Sequence, residues 1–229
     1  MFGESEIDLQ FSVFGIPVRV RPTFWLLGAF LGYRQGDAAF LGVNVLAVMF
    51  MIALVVFVSV LIHELGHAIV IEGFGWPCRI TLWHIGGFAA YHPTSTDASW
   101  KRIVIALAGP FAGFLLAALA LAIGVFGSLY DWFPENGIVE YLLNATVLVN
   151  VLWGILNLMP VLPLDGGHVC EHTLGVMGVR TNREWAHKVS IVVAGAIAAF
   201  FLTGGQQLNG LMFLFLAVNN FQALQHRRY

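Results

Sequence analysis

The sequence predicts a mainly α-helical, polytopic membrane protein of about six transmembrane helices, with a small β-sheet near the cytosolic face. Three observations predict it: an apolar composition, a series of apolar segments of membrane-crossing length, and two short stretches with β-strand character. Of the 229 residues, 59% are apolar and only 10% are charged, and the mean hydropathy is +0.81. A soluble domain of this length needs far more charge to cover its surface, so the bulk solvent is lipid. The length suits one membrane domain over 1–229. A net charge of −2 excludes a nucleic-acid partner, because no basic stripe exists to neutralise phosphates.

Residues 1–21 form the N-terminal β region: 7–21 (IDLQFSVFGIPVRVR) partly alternate around Gly15-Ile16-Pro17 and read as strand, turn and strand. The transmembrane core spans 22–225, with apolar segments at 22–33, 40–72, 103–127, 138–158, 186–203 and 207–225. Most can cross a hydrocarbon core of about 30 Å, and the first is short. Between the second and third segments, 77–92 (PCRITLWHIGGFAAYH) is β-branched and aromatic with a Gly-Gly break, and reads as a β insertion. Residues 159–168 hold Pro160, Pro163, Gly166 and Gly167 and cannot be continuous helix.

Six crossings with a cytosolic N-terminus place Arg19, Arg21, Arg79, Lys101, Arg102, Arg180, Arg183, Lys188, Arg227 and Arg228 inside and only Arg34 outside. Both termini are then cytosolic by the positive-inside rule. Residues 1–21 lack a signal-peptide pattern. Cys78 and Cys170 fall on or near the reducing side, where a disulfide is not expected.

The sharpest chemical signal is His63-Glu64-Leu65-Gly66-His67, late in the second apolar segment. Residues four apart share a helix face, so the two imidazoles can converge on one metal. Glu64 lies beside that face, placed to take a proton from water rather than to bind the metal. The plainer alternative is a polar cluster satisfied by neighbouring helices, but three ionisable groups in five membrane residues are costly without a partner or a metal. Catalytic zinc takes three protein ligands, and the best third candidate is Asp165. It follows the fourth segment at its cytosolic end, the membrane depth expected of His63 and His67. The plainer reading of Asp165 is a loop carboxylate capping the next helix.

His168-Val-Cys-Glu171-His172 fits the inverted pattern H-x-x-E-H and could hold the zinc or a second one. It sits where a cytosol-facing helix is expected to begin and titratable residues are cheap, so it reads as solvated or supporting, with Cys170 facing away from the histidines. Gly109 and Gly113 form a G-x-x-x-G packing pair. His84 and His92 read as interfacial. Trp76, Trp83 and Trp100 suit an aromatic belt at the cytosolic interface.

H-E-L-G-H on a membrane helix, followed by the N-x-x-P-x-x-P-L-D-G-G stretch of 157–167, resembles the site-2 protease family of intramembrane metalloproteases. The early Gly15-Ile-Pro-Val18, the Ile85-Gly86-Gly87-Phe88 turn and Ala108-Gly109-Pro110 match as well, so the resemblance runs from about residue 15 to 170, most of the chain. It implies a six-helix core with one zinc held by His63, His67 and Asp165, Glu64 as general base, and Asn157 positioning the scissile backbone or its oxyanion. Gly86 and Gly87 would mark an edge strand to which an unwound substrate adds; the residues alone fit a plain tight turn equally well. Family members commonly have Asn three residues after the Ala-Gly-Pro triplet; Gly113 stands there, which removes one expected polar contact. Neither a PDZ insertion nor a CBS pair is present, as in a minimal form of the core.

The implied activity is zinc-dependent hydrolysis of a peptide bond within or near a transmembrane segment of a membrane-tethered protein, in regulated intramembrane proteolysis at the cell membrane. Two rivals are a zinc transporter and an inactive relative that binds membrane helices. The first needs a polar path to the outer face, and segments three, five and six offer almost none. Intact His63, Glu64, His67 and Asp165 speak against the second.

Overall fold

The computed structural model describes residues 7–226 except 34, 85, 93–98, 135 and 136, and only the backbone at Leu27, Gln35 and Gly36. Arg34, Ile85, Arg227 and Arg228, which the sequence reading used, lie outside the described residues. The chain forms two compact units, one of residues 1–94 with 108–154 and one of 95–107 with 155–229.

The first unit opens with a hairpin. Strands β1 (Leu9–Val13) and β2 (Ile16–Val20) pair antiparallel. Phe14 and Gly15 both take positive φ, +53° and +83°, as the tightest hairpin turn requires. Strand β3 (Cys78–Trp83) runs parallel to β2, and β4 (Gly86–Tyr91) pairs antiparallel with β3. The sheet order is β1-β2-β3-β4, which leaves β4 on an edge among the described residues. Ile16, Val18 and Val20 alternate inward from β2, and Cys78, Ile80 and Leu82 from β3, so one face of the sheet is its core.

Helices α1 (Phe24–Gly32), α2 (Gln35–Leu41) and α3 (Val45–Gly73) join the two halves of the sheet. Asn44 caps α3, its side chain accepting from the Leu46 amide at 2.9 Å. At 29 residues α3 is about 44 Å long, more than the hydrocarbon core requires. Gly28 and Gly32 let α1 lie against Ala53 and Met49 of α3. Helices α4 (Ser99–Leu129) and α5 (Ile138–Asn157) supply the rest of the unit through their residues 108–129 and 138–154. Phe111, Leu115 and Leu119 form an exposed apolar stripe along α4, as suits a lipid-facing surface.

The second unit holds the remainder of α4 and α5, α6 (Asp165–Val176), α7 (Asn182–Thr203) and α8 (Gln207–Gln225). Its core is Val161, Ala194, Ala198, Phe213 and Ala217.

Both predicted β regions contain strands among the described residues, and every predicted apolar segment is largely helical, the second being broken at 42–44 between α2 and α3. By length and composition four described helices, α3, α4, α5 and α7, are long and apolar enough to cross a membrane. The segment at 22–33 forms only the nine residues of α1. Helix α8 is long enough but is diluted by Asn209, Asn219, Asn220, Gln222 and Gln225. Trp76 is not an interfacial belt residue: it is 1% exposed and stacks on Tyr91, ring centroids 5.7 Å apart and 2° from parallel. Trp100 is exposed, as expected of a belt.

Both cysteines are free thiols. Burial first and the Glu72 carboxylate second push the Cys78 thiol up to about 11. A pKa raised above the ordinary value of 9.0 keeps the thiol protonated at neutral pH, and its contribution to stability is lost as pH rises from 9 toward 11. Alkylation of Cys78 by iodoacetamide at pH 8 is expected to be slow in the folded protein and fast after unfolding. Rapid alkylation of the folded protein would show the thiol to be accessible.

Candidate metal centre

Helix α3 runs from Val45 to Ile62 with Ser59 and no charged residue, then delivers His63, Glu64 and His67 in its next turns. All three are buried, at 3%, 4% and 7% exposure. Their spacing brings both imidazoles to one helix face, with Nε2 atoms 3.2 Å apart and rings at 80°. Two nitrogens at that separation, each about 2.05 Å from a zinc ion, subtend roughly 100°, close to tetrahedral. The pair therefore fits one zinc ion.

Glycines make the room. A Cβ on Gly66 would stand 2.5 Å from the Ala108 carbonyl and 2.8 Å from the Ala112 methyl, so α4 can approach only because position 66 is bare. A Cβ on Gly109 would overlap the His67 ring itself. The G-x-x-x-G pair is thus not plain packing: Gly109 is the space into which the His67 imidazole fits. On β4, a Cβ on Gly87 would lie 2.6 Å from Glu64 Cγ, so the edge strand rests on the carboxylate-bearing side chain. Gly86 takes φ +136°, and a Cβ there would stand 3.0 Å from the Trp153 indole. Trp153 in turn stands edge-on to His63, centroids 6.4 Å apart. Trp153 was missed from the sequence, and Gly109 was read as a packing glycine without its contact to His67, since neither contact follows from periodicity.

A buried amide also stands beside Gly113. Asn150 donates at 2.8 Å to Ser59 Oγ, one turn before His63, and its Oδ1 lies 3.4 Å from where a Gly113 Cβ would be. A buried polar pair from α5 and α3 therefore lies beside the position where the family commonly has Asn.

In the second unit, Asn157 is the buried last residue of α5 and Asp165 the first residue of α6. The N-cap of α6 is Leu164, without a side-chain cap, so Asp165 is not the cap the plainer reading supposed. Gly166 and Gly167 lie inside α6 rather than in the break; a Cβ at either would strike the backbone of 158–162, which folds back on the helix. Helices α7 and α8 brace that loop. The Leu162 amide donates to Ser190 Oγ at 2.8 Å, Asn220 Nδ2 donates to the Leu162 carbonyl at 2.6 Å, and His187 Nδ1 meets Asn220 Oδ1 at 2.8 Å. Replacing Asn220 with Leu leaves the Leu162 carbonyl buried without that donor, a loss of about 1–3 kcal/mol. Thermal unfolding in detergent should fall accordingly, and the exposed Asn209→Ala variant should melt like the parent. An unchanged melting curve for Asn220→Leu would remove the brace.

His168, Glu171 and His172 also converge in this unit, one potential ligand atom from each within 4.8 Å of the others.

A buried H-E-x-x-H helix with converging imidazoles and a pocketed carboxylate defines a metal centre of the metallohydrolase type. Comparison with known proteins agrees: peptidase family M50 matches residues 51–135 and 131–202. The chain belongs to that family, the site-2 proteases. Among its relatives are the Synechocystis protein sll0528, 33% identical over 166 residues (70% of this chain, 42% of the relative). Zinc metalloprotease MJ0392 of Methanocaldococcus jannaschii is 31% identical over 166 residues (72% and 44%). The chain thus spans less than half the length of these two relatives. The fold is shared with a site-2 protease from M. jannaschii at TM-score 0.58 and 23% identity over 95% of each chain.

Proposed function

We propose that the chain is an intramembrane zinc metalloprotease that hydrolyses a peptide bond within or near a transmembrane segment of a membrane-tethered substrate, in regulated intramembrane proteolysis. The observation that carries this reading is the buried convergence of His63 and His67 on one face of a membrane-crossing helix, with Glu64 beside them. One zinc would be held by His63, His67 and Asp165. The histidine spacing supports the first two, and the match of the 157–167 stretch to the family pattern supports Asp165. Bound there, zinc supplies Lewis acidity, polarising the scissile carbonyl and acidifying water.

The chain's own residues do the rest. Glu64 takes the proton of the attacking water and returns it to the leaving amine. Its contact with Gly87 supports a substrate strand laid along the β4 edge at Gly86 and Gly87, joined by backbone hydrogen bonds. Asn157 positions the scissile backbone or its oxyanion. A helical substrate must first unwind, because its carbonyls are otherwise bonded within the helix, so helix-weakening residues in the substrate favour cleavage. Six crossings with both termini in the cytosol satisfy the distribution of Lys and Arg, and water reaches the site from that side.

The test is cleavage in proteoliposomes of a single-span reporter helix carrying a Gly-Asn pair in its span. Cleavage that chelation stops and zinc restores is the expected result. Cleavage indifferent to chelation would overturn the reading. Asp165→Asn should weaken zinc binding, and parent-like binding in that variant would remove Asp165 from the ligand set.

A further inference from the structure

We propose that His168, Glu171 and His172 form a second divalent-metal site on the first two turns of α6, taking Zn²⁺ or a similar borderline cation. The inference goes beyond the protease reading and does not depend on it. Spacings of three and four residues put all three side chains on one face of α6. One ligand atom of each lies within 4.8 Å of the others, and His168 Nδ1 is 3.9 Å from Glu171 Oε2. The two imidazoles lie nearly parallel, 15° apart with centroids at 6.5 Å. Two nitrogens and one carboxylate are a donor set zinc accepts, with a position left for water.

This site differs from the pair on α3 in ways that predict its behaviour. Ligands about one ion stand roughly 3.4 Å apart, closer than the 3.9 Å between His168 Nδ1 and Glu171 Oε2, so that pair closes on binding. The His168 side chain is 47% exposed, so an ion enters directly from water. The Glu171 carboxylate is also 4.0 Å from Arg183 Nε, and that guanidinium competes with the cation. Asn182 Nδ2 donates to the Glu171 carbonyl at 3.2 Å, which ties the ligand-bearing turn to α7. Cys170 points to the opposite face, and burial first and Glu171 second hold its thiol above the ordinary range, so no thiolate joins the set. The result is an exchangeable site, weaker than the one on α3.

The experiment is equilibrium uptake of Zn²⁺, and of Co²⁺ by its visible absorption, by the full-length chain in detergent with His63→Ala and His67→Ala present throughout. About one ion per chain is expected in that background. Adding His168→Ala and His172→Ala should abolish uptake, and the single exposed change His168→Gln should weaken it while leaving thermal unfolding unaltered. Arg183→Gln should tighten it. No uptake in the starting background, or uptake unchanged after His168 and His172 are replaced, would overturn the site. Failure of the protease reading would appear separately, in the cleavage assay.

Discussion

Replacing Glu64 with Gln is expected to abolish the proposed proteolysis and to leave zinc binding intact. The substitution keeps the size and shape of a side chain that is 4% exposed and packed against Gly87, so no cavity or overpacking follows. What it removes is the carboxylate proposed to accept the water's proton. General-base contributions of this kind are about 10²–10⁴-fold in rate, which places residual cleavage near the detection limit of a proteoliposome assay. The histidines keep their 3.2 Å nitrogen spacing, so zinc content by mass spectrometry should match the parent. Cleavage retained by Glu64→Gln would end the general-base assignment. Cleavage and zinc lost together would make Glu64 a residue that holds the site rather than one that moves a proton.

The second large effect is expected at Gly109. A single methyl there overlaps the His67 ring. Helix α4 cannot retreat to accommodate it without opening the close contact between Gly66 and Ala108. The imidazole therefore moves, and its Nε2 leaves the position 3.2 Å from that of His63. Gly109→Ala should lose most of its tightly held zinc and all measurable cleavage, with an overpacking cost of about 1–3 kcal/mol in stability. Gly113→Ala is the matched control, one helical turn along on the same helix. Its new methyl would stand 3.4 Å from Asn150 Oδ1, which a small adjustment tolerates. Zinc bound by Gly109→Ala as tightly as by the parent would show that His67 does not need this space.

The elements of the fold were legible because their signals are local. Alternation marked the strands, and apolar runs marked the helices that lipid selects. The H-E-x-x-H spacing was legible for the same reason, since a helix turns residues four apart into neighbours. Three things were not local. Whether 22–33 and 207–225 cross a membrane depends on their surroundings, and the nine residues of α1 and the asparagines and glutamines of α8 fall short of the four longer or more apolar helices. Trp76 carried the composition of an interface residue, yet it stacks within the first unit on Tyr91. The roles of Gly109, Trp153, Asn150 and the Ser190–Leu162–Asn220 brace arise from helices distant in sequence meeting, and a missing side chain leaves no periodic trace. The parallel pairing of β2 with β3 across three intervening helices is of the same kind.

The central claim is that His63 and His67 hold the catalytic zinc, and zinc content tests it most directly. The measurement compares detergent-solubilised parent protein with the His63→Ala and His67→Ala double variant, after gel filtration in a weak chelator that strips exposed sites. The account predicts about one zinc per chain in the parent and none in the double variant. Equal zinc in both would place the tightly held metal elsewhere, with His168 and His172 the first residues to examine, and would contradict the mechanism built on α3.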